Sequence, residues 1–498
     1  MKFKIKQYAA CILIVGLSLT QVGCKKYLEE NIKHGIGQDE YFKTETQARN
    51  FVNGIYTSLY MFQSGDAYGE NPWITLELLA GHGTTLGQSQ NNNNVIFERT
   101  DANNPSFNTI WRQSYLGISE ANLAIQKIPT IPSMTDAAKK SLLGEVYFLR
   151  AFFYYHLVRL YGDVPLITEP VDANSPQLYP ERTAQADVYD VIIADLITAQ
   201  ASGLAETDQT GKVSLGAVNT LLASVYLTTA GYPLQKTENY AKAVTEAAKV
   251  LNKYTLFDSY DYLHDNQHKN QGELILQNQY LLGVATNSIS ALIIPYGLDV
   301  GSYHDRFGAL IPTDEFYNSY EAGDKRAEEQ QFFFSKYDSY TNPGTTINFG
   351  AHALYKYFHK ESLVNGQCDE NWTLLRLPEA QLIYAEASNE VNGPTQAAYD
   401  ALTPIRARAN LAPLSGLTKE TFRAAIWKER YHELAYENKA YFDIQRTHQI
   451  YDVKNNKFGE ATSTANEQGV TMTTKYYLWP IPQREINTNT KLKQNTGW

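Results

Sequence analysis

At 498 residues, 43% hydrophobic and 19% charged, the chain has the composition of a folded protein long enough for one large domain. A formal net charge of −10 leaves no basic stripe to neutralise phosphates, which argues against a nucleic-acid partner. Tyrosine stands out at 36 copies beside 20 Phe and 6 Trp, a large stock of flat amphipathic rings that pack helices or stack on polar ligands.

The first residues read as a targeting segment. "MKFKIKQ" carries Lys2, Lys4 and Lys6 with no acid, and the apolar run "YAACILIVGLSLT" is short for a membrane helix. Residues 1–23 are therefore expected to be a signal peptide of the lipoprotein type, with Cys24, directly behind Gly23, as the acylated residue. Gln21 and Val22 depart from the usual Leu-small pattern of a lipobox. An uncleaved anchor, ordinary cleavage, and a Cys24–Cys368 disulfide are the alternatives.

Beyond this segment the chain reads mainly helical. "TETQARNFVNGIYTSLYMF" follows a Thr44 cap with Ala48, Phe51, Ile55 and Leu59 on one face. A second helix spaces Ile110, Tyr115, Ile118 and Leu123 and stops before Pro129, and a third runs from an Asp136 cap to Gly162. Helical patterns recur over 187–202, 215–230, 240–251, 378–391, 395–409 and 419–437. In two places a helix with a small residue beside a tyrosine (Ala223 and Tyr226; Ala385 and Tyr384) precedes one rich in alanine, the pairing of a tetratricopeptide-like scaffold. Residues 80–105, rich in Gly and Asn, read as a long loop, and 254–376 read as small strands and long excursions. No proline-rich linker divides the chain. One domain over 24–498 is expected: an N-terminal part to about 250, an excursion-rich part over 254–376 and a helical part over 377–498.

Enzyme signatures fail. "HELAY" begins like a zinc-protease helix at His432 and Glu433, but Tyr436 stands where the second His belongs. Gly81, Gly83 and Gly87 miss the dinucleotide spacing. His264 and His268 lack a third ligand, and no G-x-S-x-G occurs. The chain reads as non-catalytic, with no cofactor and no metal.

Six blocks occur in order: "GEVYFLRAFFYYHLVRLYGDVPL", "GELILQNQY", "IPTDEFYNSYEAGDKR", "RLPEAQLIYAEASNE", "IWKERYHELAYENKAYFDIQR" and "YYLWPIPQREINTNTKLKQNTGW". Together they resemble the successive signature blocks of the SusD/RagB family across nearly the whole chain. The resemblance implies an outer-membrane, surface-exposed nutrient-binding lipoprotein of the Bacteroidetes type on a tetratricopeptide-like scaffold. It implies acylation at Cys24, a SusC-like TonB-dependent transporter as partner, and an oligosaccharide as the ligand delivered to it. A peptide takes the place of the glycan in some branches, with the barrel doing most of the recognition in the alternative reading.

Glu429, Arg430, Glu433, Glu437, Asp443 and Arg446 interleave with apolar residues at i, i+3 and i+4 spacing, which reads as a structural ion network. The family's usual Gly and Arg after the Glu are replaced here by Asn438, Lys439 and Ala440. The Trp479–Pro482 run and Trp498 read as a strap packed on the helices. Sugar recognition needs aromatic faces with amide, carboxylate or guanidinium groups around them. On that chemistry the ligand-binding candidates are Trp73, Asn91, Asn92, Arg99, Tyr296, Tyr303, His304 and Tyr340.

Overall fold

The computed structural model describes residues 42–63, 70–86, 89–295, 297–302 and 308–498. The leader, Cys24, Tyr296, Tyr303 and His304 lie outside the described residues. Among those described are fifteen α-helices and eight short strands, a mainly helical scaffold with small β excursions as the sequence patterns indicate.

The N-terminal half runs α1 (Glu45–Ile55), α2 (Pro72–Ala80), β1 (Gly83–Thr84), α3 (Gln90–Ile96), α4 (Pro105–Lys127), α5 (Asp136–Tyr161), α6 (Gln185–Gln200), α7 (Leu215–Ala230) and α8 (Asn239–Ala248). The excursion follows with β2 (Leu274–Asn278), α9 (Ile289–Ile293), β3 (Ile311–Pro312), α10 (Asp314–Asn318), β4 (Phe333–Asp338), β5 (Thr346–Leu354) and β6 (Trp372–Arg376). The C-terminal part contains α11 (Leu377–Asn392), α12 (Gln396–Arg408), α13 (Lys419–Glu433), α14 (Ala440–Thr447), β7 (Gln449–Asp452), β8 (Lys457–Glu460) and α15 (Gln483–Thr488).

The long helices stack as neighbours: α4 on α5, α5 on α6, α6 on α7, α7 on α8, then α8 on α11 and α11 on α12 and α13. Small residues set the spacing. A Cβ on Gly117 of α4 would lie 2.3 Å from the Phe153 ring of α5. One on Gly144 of α5 would lie 1.9 Å from Ser202 Oγ beyond α6. In α8 Ala243 and Ala247 are buried, while Ala241 and Ala248 face solvent. Helix α5 is apolar nearly all round its second half because helices flank it on both sides. Its N-cap is Thr135, which accepts from the Ala138 N–H, one residue ahead of the Asp136 expected.

Two local readings change. The 80–105 loop contains α3, since Ser89 accepts from the Asn92 N–H and starts a helical turn despite the asparagines. The first three residues of "ALIIPYG", Ala291 to Ile293, end the short helix α9 rather than forming a strand.

The strap is as expected. Trp479 is fully buried, its N–H donating to Leu160 O (2.6 Å), and its ring lies 4.6 Å from Phe107. Asn495 Nδ2 donates to Tyr161 O (3.0 Å), and Trp498 Nε1 donates to Lys475 O and Leu478 O.

Candidate functional site

The ion network is built differently from its sequence spacing. Only Asp443 pairs locally, with Arg430 (3.1 Å) and Arg446 (2.8 Å). Glu429, Glu433 and Glu437 reach distant cations instead. Glu433 accepts from Arg376 (2.7 Å), Arg408 (2.6 Å) and Arg326 (3.2 Å); Glu429 accepts from Arg326 (2.7 Å) and Arg406 (2.8 Å). Arg376 also meets Glu273 (3.0 Å) and Glu437 (2.7 Å), Arg408 meets Glu273, and Lys356 meets Glu437. With Asp324 on Arg326 (2.7 Å), five cations face five carboxylates, all buried, so the cluster is neutral as a whole. Each of these carboxylates is engaged by at least one of the cations, which makes the cluster a lock between the excursion and α11–α13. Lys439, where an Arg was missing, binds Glu379 (2.8 Å) instead.

Two suspected metal motifs are structural. His432 is buried and shares a hydrogen bond with Ser319 Oγ (2.8 Å). His264 and His268 face different partners, Glu370 (2.8 Å) and Asp265 (3.0 Å). Among the described residues one further group, His359, Glu361 and Asp369, brings ligand atoms within 4.8 Å of one another. The Lys269 ammonium, 3.5 Å from Asp369, already supplies that carboxylate with a positive charge. Cys368 is a buried free thiol.

Trp73 is a core residue, contrary to expectation. It is 0% exposed, its Nε1 donates to Tyr436 O (2.9 Å), and Tyr357 and Trp372 each sit edge-on at 5.1 Å. Both its faces are consumed by packing. Asn92, 1% exposed inside α3, is likewise unavailable to a ligand. Asn91 is half-buried and donates to Glu70 Oε2 (2.8 Å). Arg99 is exposed with its guanidinium 5.4 Å from the Phe97 ring, next to Glu98, which accepts from Thr473. Tyr340 is 40% exposed.

The two candidate loops do meet. Strand β1 pairs antiparallel with β3, Gly83 opposite Pro312 and Thr84 opposite Ile311, and the Leu86 N–H donates to Gly308 O (3.0 Å). The excursion then returns onto α9 through Ala309 N to Leu292 O (2.7 Å). The β4–β5 hairpin tip joins them: Asp299 O accepts from the Tyr340 N–H (2.8 Å), and its carboxylate accepts from Ser339 Oγ and Thr341 Oγ1, both at 2.5 Å. This clasp presents Tyr340, Thr341 and Asn342 to solvent.

A second polar–aromatic cleft of about 310 Å³ lies between α1, the 208–213 loop and the end of β2, lined by Tyr56, Tyr60, Lys212 and Gln277–Gln279. Asn270, Gln279 and Asn371 tie one another down (2.8–2.9 Å), so the amides are fixed in place. The consecutive Gln277, Asn278 and Gln279 of "LILQNQ" carry the signal for this cleft, but the stretch reads only as a strand-like run and a family block.

Comparison with known proteins accounts for residues 26–498. Residues 207–498 match the family model described as "SusD family", and residues 26–227 match one described as "Starch-binding associating with outer membrane". The "SusD-like protein P2" of Formosa agariphila is 28% identical over 97% of this chain and 98% of its own. A SusD superfamily protein from Parabacteroides distasonis superposes with a TM-score of 0.88 at 34% identity, covering 91% of this chain and 99% of that one. "Surface glycan-binding protein A from Bacteroides thetaiotaomicron in complex with laminarihexaose" shares the fold at a TM-score of 0.73 and 19% identity, covering 90% and 99%. The chain belongs to the SusD family.

Proposed function

We propose that this protein binds an oligosaccharide at the cell surface without altering it and passes it to a SusC-like TonB-dependent transporter, held at the outer membrane by lipid on Cys24. The clasp carries the reading: the Leu86–Gly308 and Tyr340–Asp299 bonds place polar, aromatic loop segments from three parts of the chain on one edge of a rigid scaffold. Open, half-solvated loops of this kind suit a long hydroxylated ligand better than an enclosed pocket does. A relative of the same fold is described as bound to laminarihexaose, and one family model carries the outer membrane in its description. We assign Tyr340, Arg99 and Asn91 to ligand binding, keep Tyr296, Tyr303 and His304 as ligand candidates on their chemistry alone, and withdraw Trp73 and Asn92.

The test is a broad glycan and peptide array probed with the full chain in detergent. Retention of one glycan class, unchanged in mass after incubation, supports the reading. Retention of peptides alone favours a peptide-binding lid, and turnover of a bound glycan refutes non-catalytic binding.

A further inference from the structure

A cavity of about 260 Å³ opens where α5, α7 and α14 meet the segment ahead of the strap, and it shares no residue with the clasp. One wall is a continuous stack of three rings. Tyr232 lies 3.8 Å from His448 at 5°, and His448 lies 4.0 Å from Tyr477 at 12°. Among the described residues no carboxylate lines the cavity.

Arg159 does line it, and the environment of this side chain is unusual. The guanidinium is sandwiched between Tyr155 (3.7 Å) and Phe442 (3.5 Å). Nε donates to Tyr155 O (3.2 Å), but neither Nη has a hydrogen-bond or ion-pair partner among the described residues. The nearby acids are engaged elsewhere: Asp443 with Arg430 and Arg446, Glu386 with Arg446, Glu379 with Lys439, and Glu460 with the Tyr477 hydroxyl. A half-buried guanidinium held flat between two rings, with two open N–H edges, is preorganised for a planar oxyanion.

Gln445 supplies an independent observation in the same cavity. Its Nε2 donates to Arg159 O (3.1 Å) and Tyr477 O (2.8 Å), and two carbonyl acceptors fix the orientation of the amide. Its Oε1 is then buried with no donor facing it. The cavity thus offers a cation without an ion-pair partner, and Gln445 Oε1 just behind its lining is a buried acceptor without a donor.

We propose that this cavity is a binding site for a compact hydroxy-carboxylate of the sugar-acid type, its carboxylate on Arg159 and a hydroxyl donating to Gln445. The volume falls below the ~300–1,000 Å³ typical of drug-sized ligands and suits a single residue.

The test is calorimetric titration of the full chain in detergent with glucuronate, glucose and acetate. Saturable glucuronate binding is expected, with acetate at least tenfold weaker and glucose silent. Arg159→Met, which keeps the packing volume between the rings, should weaken glucuronate at least tenfold, and Gln445→Leu should narrow the gap between glucuronate and acetate. Should Arg159→Met fail to fold, the pH profile decides: a guanidinium keeps its charge, so affinity stays flat from pH 6 to 9. Loss of binding across pH 6–8 would place the charge on His448 and overturn the assignment. Absence of saturable binding by glucuronate, or equal affinity for acetate, would overturn it as well.

Discussion

Arg376 grips Glu437 with both arms, Nε donating to Oε2 at 2.8 Å and Nη2 to Oε1 at 2.7 Å, while its Nη1 reaches Glu433 at 2.7 Å. One side chain at the end of β6 thus holds the C-terminal end of α13 and the turn that follows it. Each partner is buried, so removing one leaves an uncompensated charge in the interior. Arg376→Met is expected to destabilise the fold by about 3–5 kcal/mol, read as a lower urea midpoint.

The same cluster sets the acid response. Burial pushes the Glu433 carboxyl up, and Arg408, Arg376 and Arg326 more than reverse this, holding it at about 2. Burial likewise raises Glu437, and Arg376 and Lys356 bring it down to about 2. These folded values lie below the unfolded ones, so the stability they confer is fully present above about pH 4.5 and is lost as pH falls towards 2. Each carboxyl contributes about 3 kcal/mol across that window. Glu370, pushed up by burial, works in the opposite direction, so the comparison is with a variant. Stability of Glu437→Gln measured by urea at pH 5, 4 and 3 should fall less steeply than that of the parent.

Trp73→Ala is expected to cost about 3–5 kcal/mol of stability, because a large ring leaves a cavity among Tyr357 and Trp372. Trp73→Phe should cost less and leave glycan affinity unchanged in the folded protein. A selective loss of affinity in Trp73→Phe would return this residue to the ligand site.

Tyr340 should behave in the opposite way. Tyr340→Ala is expected to leave the melting temperature within about 1 °C, as an exposed substitution does, while lowering glycan affinity by about 0.5–1.5 kcal/mol. Equal affinity in parent and variant would remove the hairpin tip from the ligand edge.

Gly117→Ala tests the helix stack. The new Cβ would meet the Phe153 ring at 2.3 Å, and that ring is fully buried, so it must shift within a packed core. Overpacking of this kind costs about 1–3 kcal/mol, measurable as a reduced thermal midpoint.

Much of the scaffold was legible because its signals are local. Leu215–Ala230 appears in the structure with the bounds read from its periodicity, and the Thr44 cap is present with its capping box. What escaped depended on chain separation. Glu433 looked paired to neighbours on its own helix, yet its partners Arg326, Arg376 and Arg408 come from elsewhere, and no spacing rule reaches so far. Trp73 failed for a related reason: a tryptophan beside a polar loop has the same sequence context whether it faces out or in, and only Tyr436, distant in sequence, settles which. Ser89 caps a helix that the run of asparagines after it disguised as loop.

Leu274 lies opposite Arg376 in the β2–β6 ladder, and Glu273 binds the Arg376 guanidinium at 3.0 Å, so the stretch between them leaves and re-enters the body at one fastened point. Exposed turns in that stretch, such as the β4–β5 hairpin tip, can be lengthened or shortened at little extra entropic cost, while Arg326 and Lys356 stay bound to Glu429, Glu433 and Glu437. Length is thus free to vary at the tips while the frame beneath them is pinned by buried charge.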